Sequence, residues 1–161
     1  MTRLLKLMCG AVLGFACLFA SAAAQAQSVP QSVRVAVPDD NVQARLIWST
    51  LVALDNANRT NDYGVLHKLG SPAFQQRNSE AQLARLFQSL RDRRVDVGRA
   101  VNLTPDLYLA PAVDADGQLR LRGAFEFRPN NLRFDLIYVQ VGGGWRLHAL
   151  SVAEMRADAP R

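Results

Sequence analysis

Cysteine is almost missing from this chain. The two present, Cys9 and Cys17, both fall in the first 26 residues. Once that segment is removed, disulfides, thiolate nucleophiles and cysteine-based zinc sites are excluded. Histidine is equally scarce: His67 and His148 stand alone, whereas a metal centre needs three or four converging ligands. The glycines at 142–144 lack the strand–loop–helix setting of a phosphate loop. Ser71 and Ser79 have no neighbouring base in a recognisable order, so a nucleophilic triad is unsupported. Neither a metal nor a cofactor is expected. Beyond the N-terminal segment there is no apolar run of the roughly 20 residues that a membrane span needs, and no internal repeat.

What is present begins with a leader. Residues 1–26 read as a secretory signal peptide. Arg3 and Lys6 supply the positive start, residues 7–20 the apolar run, and Ala24-Gln25-Ala26 the small-residue cleavage site. Gly14-Phe15-Ala16 before Cys17 is a poor lipoprotein signal, and the apolar run continues past it, so plain cleavage is expected over lipidation. The expected location is periplasmic or secreted. Residues 27–41 read as a linker, 42–153 as one domain and 154–161 as a frayed tail. The remaining chain of about 135 residues is long enough to bury an ordinary core. Its net charge falls from +5 to +3 when Arg3 and Lys6 leave. Lys68 is the last lysine, so the excess of base is arginine. These arginines alternate with Asp and Glu, which argues against a nucleic-acid partner. Arg91, Arg93, Arg94 and Arg99 form the densest group. They read as a solvated helix end, favoured by the helix dipole, rather than as a polyanion site.

The most ordered pattern is LRLRGAFEFRPNNLRFDLIYVQV, residues 119–141. Side chains alternate across a strand. Leu119, Leu121, Phe125 and Phe127 therefore share one face, and Arg120, Arg122, Glu126 and Arg128 the other. A two-residue loop at Pro129-Asn130 would pair Phe127 with Leu132, Phe125 with Phe134, Gly123 with Leu136 and Leu121 with Tyr138. A longer loop of the same parity keeps the faces. Gly123 on the buried side implies a bend or a close approach by another backbone. Asp135 points outward, towards Arg122 or Arg133. Ile137, Val139, Leu150 and Val152 read as an apolar patch on the outer face, and such patches often mark contacts.

Upstream, Asp39, Asp40 or Asn41 caps a helix whose apolar period runs through Ile47, Trp48, Leu51 and Leu54. A short second helix holds Tyr63, Leu66 and His67 and stops at Gly70. Pro72 and Phe74 read as a connector. Ser79 and Gln82 form a capping box for a third helix carrying Leu83, Leu86, Phe87 and Leu90. Asp114-Ala115-Asp116-Gly117 reads as a turn. The fold class is thus α+β: three N-terminal helices packed on a strongly bent antiparallel sheet of about four strands.

This order resembles the nuclear transport factor 2-like superfamily of cone-shaped α+β domains. The residues that carry the resemblance are 51–55, ANRTNDY at 57–63, then Leu66, Leu69, Phe74 and the later FDLIYVQVGGGWRL. It covers about residues 42–152 and has no catalytic string. It implies a pocket between the concave sheet face and the helices, and frequent homodimerisation through the outer face. Since members include isomerases, dehydratases and non-catalytic binding domains, the fold leaves the activity open. Trp48, Tyr63, Tyr138, Trp145 and His148 are the candidate ligand-binding residues. Ile137, Val139, Leu150 and Val152 are the candidate dimer interface. The preferred reading is a non-catalytic exported domain that binds a small apolar ligand or a protein partner. The alternative is an isomerase or dehydratase, with His148 or Asp62 as base and Tyr63 or Tyr138 as donor. The direction of His148 depends on whether the glycine turn spans two residues or three.

Overall fold

In a computed structural model the described residues are 35–158. The expected signal peptide, most of the linker and the last three residues lie outside them. The described chain is α+β, with five α-helices, one 3-10 turn and an antiparallel sheet of five strands.

Helix α1 (Asp40–Thr60) starts inside the expected linker because the Asp39 carboxylate accepts the Val42 amide and caps it. Asn61, in the left-handed region at φ 57, ends it. Ile47, Leu51 and Leu54 are buried as their spacing predicts. Helix α2 (Gly64–Leu69) stops at Gly70 for a reason other than a left-handed cap, since Gly70 has φ −69. A Cβ there would lie 2.2 Å from the Phe74 ring.

Three expected helices become five. The connector at Pro72 is itself a helix, α3 (Pro72–Arg77), with proline in its first turn and Ser71 as cap. The expected third helix is divided at Phe87 into α4 (Glu80–Leu86) and α5 (Gln88–Asp92). The Ser79–Gln82 capping box opens α4. The break buries Leu83, Phe87 and Leu90 but turns Leu86 out to water.

Two short strands, β1 (Asp106–Leu107) and β2 (Ala112–Val113), pair with one edge of β3 (Gln118–Phe125). Strand β3 pairs with β4 (Asn130–Val141), and β4 with β5 (Gly144–Arg156). Strand β5 therefore runs three residues into the expected tail. The turn at Asp114 forms as expected, its carboxylate accepting the amides of Asp116 and Gln118.

The β3–β4 register has the expected parity but slides by two residues. Phe125 faces Leu132, Gly123 faces Phe134, Leu121 faces Leu136, and Leu119 faces Tyr138. The cause lies in the loop: it takes up residues 126–129, and the Asn131 side chain accepts the Phe127 amide. The slide is even, so the faces survive. Leu119, Leu121, Phe125, Leu132, Phe134 and Leu136 are all at most 3% exposed. They join Ile47, Leu51, Leu54, Leu66, Phe74 and Leu83 in one core. Gly123 is there because β1 lies against it: a Cβ would sit 2.3 Å from the Asp106 carbonyl oxygen.

The second hairpin corrects an expectation. Gly142 and Gly143, at φ 59 and 78, make a two-residue turn. Tyr138 pairs with Leu147, yet Ile137 pairs with Ala149. His148 is the extra residue of a β-bulge, which shifts the alternation of β5 by one. Leu150 and Val152 consequently face Leu136 and Phe134 on the inner side, with Val152 8% exposed. The expected outer patch loses both. Ile137 and Val139 stay on the outer face, half-buried.

Candidate functional site

Three places hold the candidate residues: the inner face, the bulge and the outer face.

Towards the interior, the hydroxyls of Tyr138 and Tyr63 and the Trp48 indole bond within the chain. The Tyr138 hydroxyl donates to the Leu46 carbonyl at 2.9 Å and shares a second bond of 2.9 Å with Thr50 Oγ1. Burial holds its phenol well above the ordinary range. The Tyr63 hydroxyl donates to Asn58 Oδ1 at 2.6 Å and accepts from Arg91. Trp48 Nε1 donates to the Leu103 carbonyl at 3.1 Å, tying α1 to the segment before β1. Trp145 lies half-buried opposite Gln140, at the glycine-turn end of the sheet. Asp62, the expected alternative base, accepts the Gly64 amide at 2.8 Å and shapes the entry to α2. Trp48, Tyr63, Tyr138 and His148 each bond to other residues, and among the described residues none of the five candidates is hydrogen-bonded to another.

At the bulge, His148 meets α3. Its Nδ1 lies 3.1 Å from Ser71 Oγ and its Nε2 lies 3.2 Å from Arg77 Nη2. Arg77 also donates to the His148 carbonyl at 3.1 Å. Guanidinium can only donate, so Nε2 is the acceptor and Nδ1 carries the proton. That proton is donated to Ser71 Oγ, which also accepts the Phe74 amide. The serine oxygen is thus an acceptor from this histidine, and the imidazole cannot withdraw its proton. A hydrolase triad places a carboxylate on the far nitrogen to stabilise an imidazolium, whereas here a guanidinium disfavours one. Burial, and then the Arg77 charge, lowers the His148 pKa. The cluster is a clip between α3 and the bulge. It is reinforced by the Ser71 amide, which donates to the Leu147 carbonyl at 2.7 Å.

On the outer face, Arg120 Nε donates to Asp135 Oδ1 at 2.8 Å with a second contact through Nη2, and Arg122 stands 3.9 Å from the same carboxylate. The bidentate partner of Asp135 is therefore Arg120, diagonal across the ladder, rather than its direct neighbour Arg122. Beyond this charged half lie Ile137 and Val139, with Ala149 opposite Ile137 and Val141 38% exposed.

Sequence reading missed Thr50, Arg77 and the Tyr63 partners Asn58 and Arg91. Thr50 had a signal, since it falls on the buried stripe of α1 beside Ile47, Leu51 and Leu54. Arg77 had none, because nothing local marks a bulge 71 residues later. No metal-binding group of three or more His, Cys, Asp or Glu occurs among the described residues, and no described helix is long and apolar enough to cross a membrane. No family model, curated protein or solved structure matches the chain.

Proposed function

We propose that this protein is a non-catalytic exported domain of the nuclear transport factor 2-like kind, and that it works by pairing with a second copy of itself through the outer sheet face. The observation that carries the reading is the filled interior. The inner faces of β3 and β4 are covered by the chain's own Leu, Phe and Tyr side chains, each at most 3% exposed. A small apolar ligand would have to displace core residues to enter.

The buried phenols are committed to Leu46, Thr50 and Asn58, so they are not free to polarise a substrate. The outer face offers an apolar surface for recognition, with Ile137, Val139 and Val141 at alternate positions of β4. A two-fold contact between two such faces sets these residues against their own copies, and Arg120, Arg122 and Asp135 form a polar rim. The resemblance implies a pocket between the sheet and the helices, and in this chain the buried side chains of one core lie there.

Sedimentation velocity on the chain without residues 1–26 tests this reading. The expected result is a dimer that Ile137→Arg converts to a monomer with an unchanged circular dichroism spectrum. A strictly monomeric wild type at high concentration would sink the proposal.

A further inference from the structure

A second feature, independent of the outer face, lies where α1 ends against α5. A surface concavity of about 370 Å³ is lined by Asp55, Asn58, Arg59, Arg91, Arg94 and Asp96, with Leu90 and Val95. Its two carboxylates are already engaged. Asp55 Oδ1 accepts the Gly98 amide at 3.0 Å and Asp55 Oδ2 stands 3.8 Å from Arg59, while Asp96 Oδ1 accepts the Arg99 amide at 3.1 Å. Its donors are in surplus. Arg91 meets no carboxylate among the described residues; its partner is the Tyr63 hydroxyl. That phenol does not serve as a counter-anion, because burial raises its pKa despite the Arg91 charge. It donates its own hydrogen bond to Asn58 Oδ1, which fixes the amide and leaves Asn58 Nδ2 buried with no acceptor among the described residues. An unmatched buried donor is costly. Arg94, exposed at the rim, has no acid partner among the described residues either.

We infer that this concavity binds a small oxyanion, a carboxylate or a phosphate, held by Arg91 and Arg94 and accepting a further bond from the Asn58 amide. An oxyanion supplies acceptors to Arg91 and Arg94, which meet no carboxylate among the described residues, and charge-assisted bonds from guanidinium are among the strongest available. The other arginines of the same stretch are not part of the site. Arg93 and Arg99 turn to Glu154, at 3.7 and 4.0 Å, and Arg99 also covers the Phe127 ring.

The test is a titration of the chain without residues 1–26, followed by NMR on the arginine Nε–H and asparagine side-chain amide signals. Inorganic phosphate and acetate are added separately at ionic strength matched with sodium chloride. The expected result is a saturable shift of Arg91 and Asn58 signals with one or both anions; whichever saturates at lower concentration names the source. Asn58→Asp places a carboxylate beside Arg91 and is expected to weaken binding at least about tenfold while the chain stays folded. Arg93→Gln is expected to leave it unchanged. The proposal is overturned if neither anion gives a saturable shift, if chloride reproduces it, or if Asn58→Asp binds as wild type does.

Discussion

Tyr138→Phe separates a structural phenol from a reactive one. The substitution removes one hydroxyl and keeps the ring. In the folded chain that hydroxyl is fully enclosed and makes two bonds of 2.9 Å, to Thr50 Oγ1 and to the Leu46 carbonyl. Each intramolecular bond contributes about 0.5–1.5 kcal/mol net, so the loss is about 1–3 kcal/mol. For a domain of this size each kcal/mol moves the midpoint by about 3–5 °C, which gives a fall of about 5–10 °C near the middle of the range. Thermal melts of Tyr138→Phe, Thr50→Val and the double variant read the effect directly. Because the two hydroxyls share one bond, the double variant is expected to lose about 1 kcal/mol less than the sum of the singles. Additivity within about 0.3–0.5 kcal/mol would refute the shared Tyr138–Thr50 bond. Alkaline titration gives a second reading. The folded phenol keeps its proton beyond the unfolded value, so its contribution is complete below about pH 10 and declines as pH rises through that value. The Tyr138 share of the absorbance change should therefore arrive with unfolding.

Two further outcomes follow from the geometry. Gly123→Ala drives a methyl group to 2.3 Å from the Asp106 carbonyl oxygen and should cost about 1–3 kcal/mol in urea denaturation; a neutral result would mean that β1 does not lie against β3. The His148 pKa is lowered by burial and by Arg77, so the unfolded chain takes up this proton first as pH falls. Its stabilising contribution is complete above about pH 6.5 and is lost progressively below it. The urea midpoint of the wild type should fall more between about pH 7.5 and pH 5 than that of His148→Gln, and equal falls would dismiss the clip.

Much of this architecture was legible in the sequence because it rests on local physics. Period-two alternation identified the inner residues Leu119, Leu121, Phe125 and Phe134 without any register. The Ser79 capping box and the Asp114 turn were readable because their bonds close within four residues. The role of Gly123 was readable in kind, though not the strand that approaches it. What was not legible depends on contacts distant in sequence. The β3–β4 register slid because an asparagine side chain organises the loop, which alternation does not sense. Leu150 and Val152 were assigned to the wrong face because one bulge residue reverses parity, and alternation extended across it fails for every residue beyond. The candidate site residues were chosen as inward aromatics with polar tips. That rule found side chains with internal partners, and it passed over the arginine–asparagine pocket, whose signal is a mismatch of donors and acceptors in space.

The bulge has a consequence for how this chain can vary. Strand β5 is written in two phases, and His148 is the punctuation between them. Removing one residue there would exchange inside for outside along the whole distal half of the strand. A lineage could drop that residue only by rewriting everything downstream at the same moment. The α3 cap and the inserted histidine are therefore bound to change together or not at all.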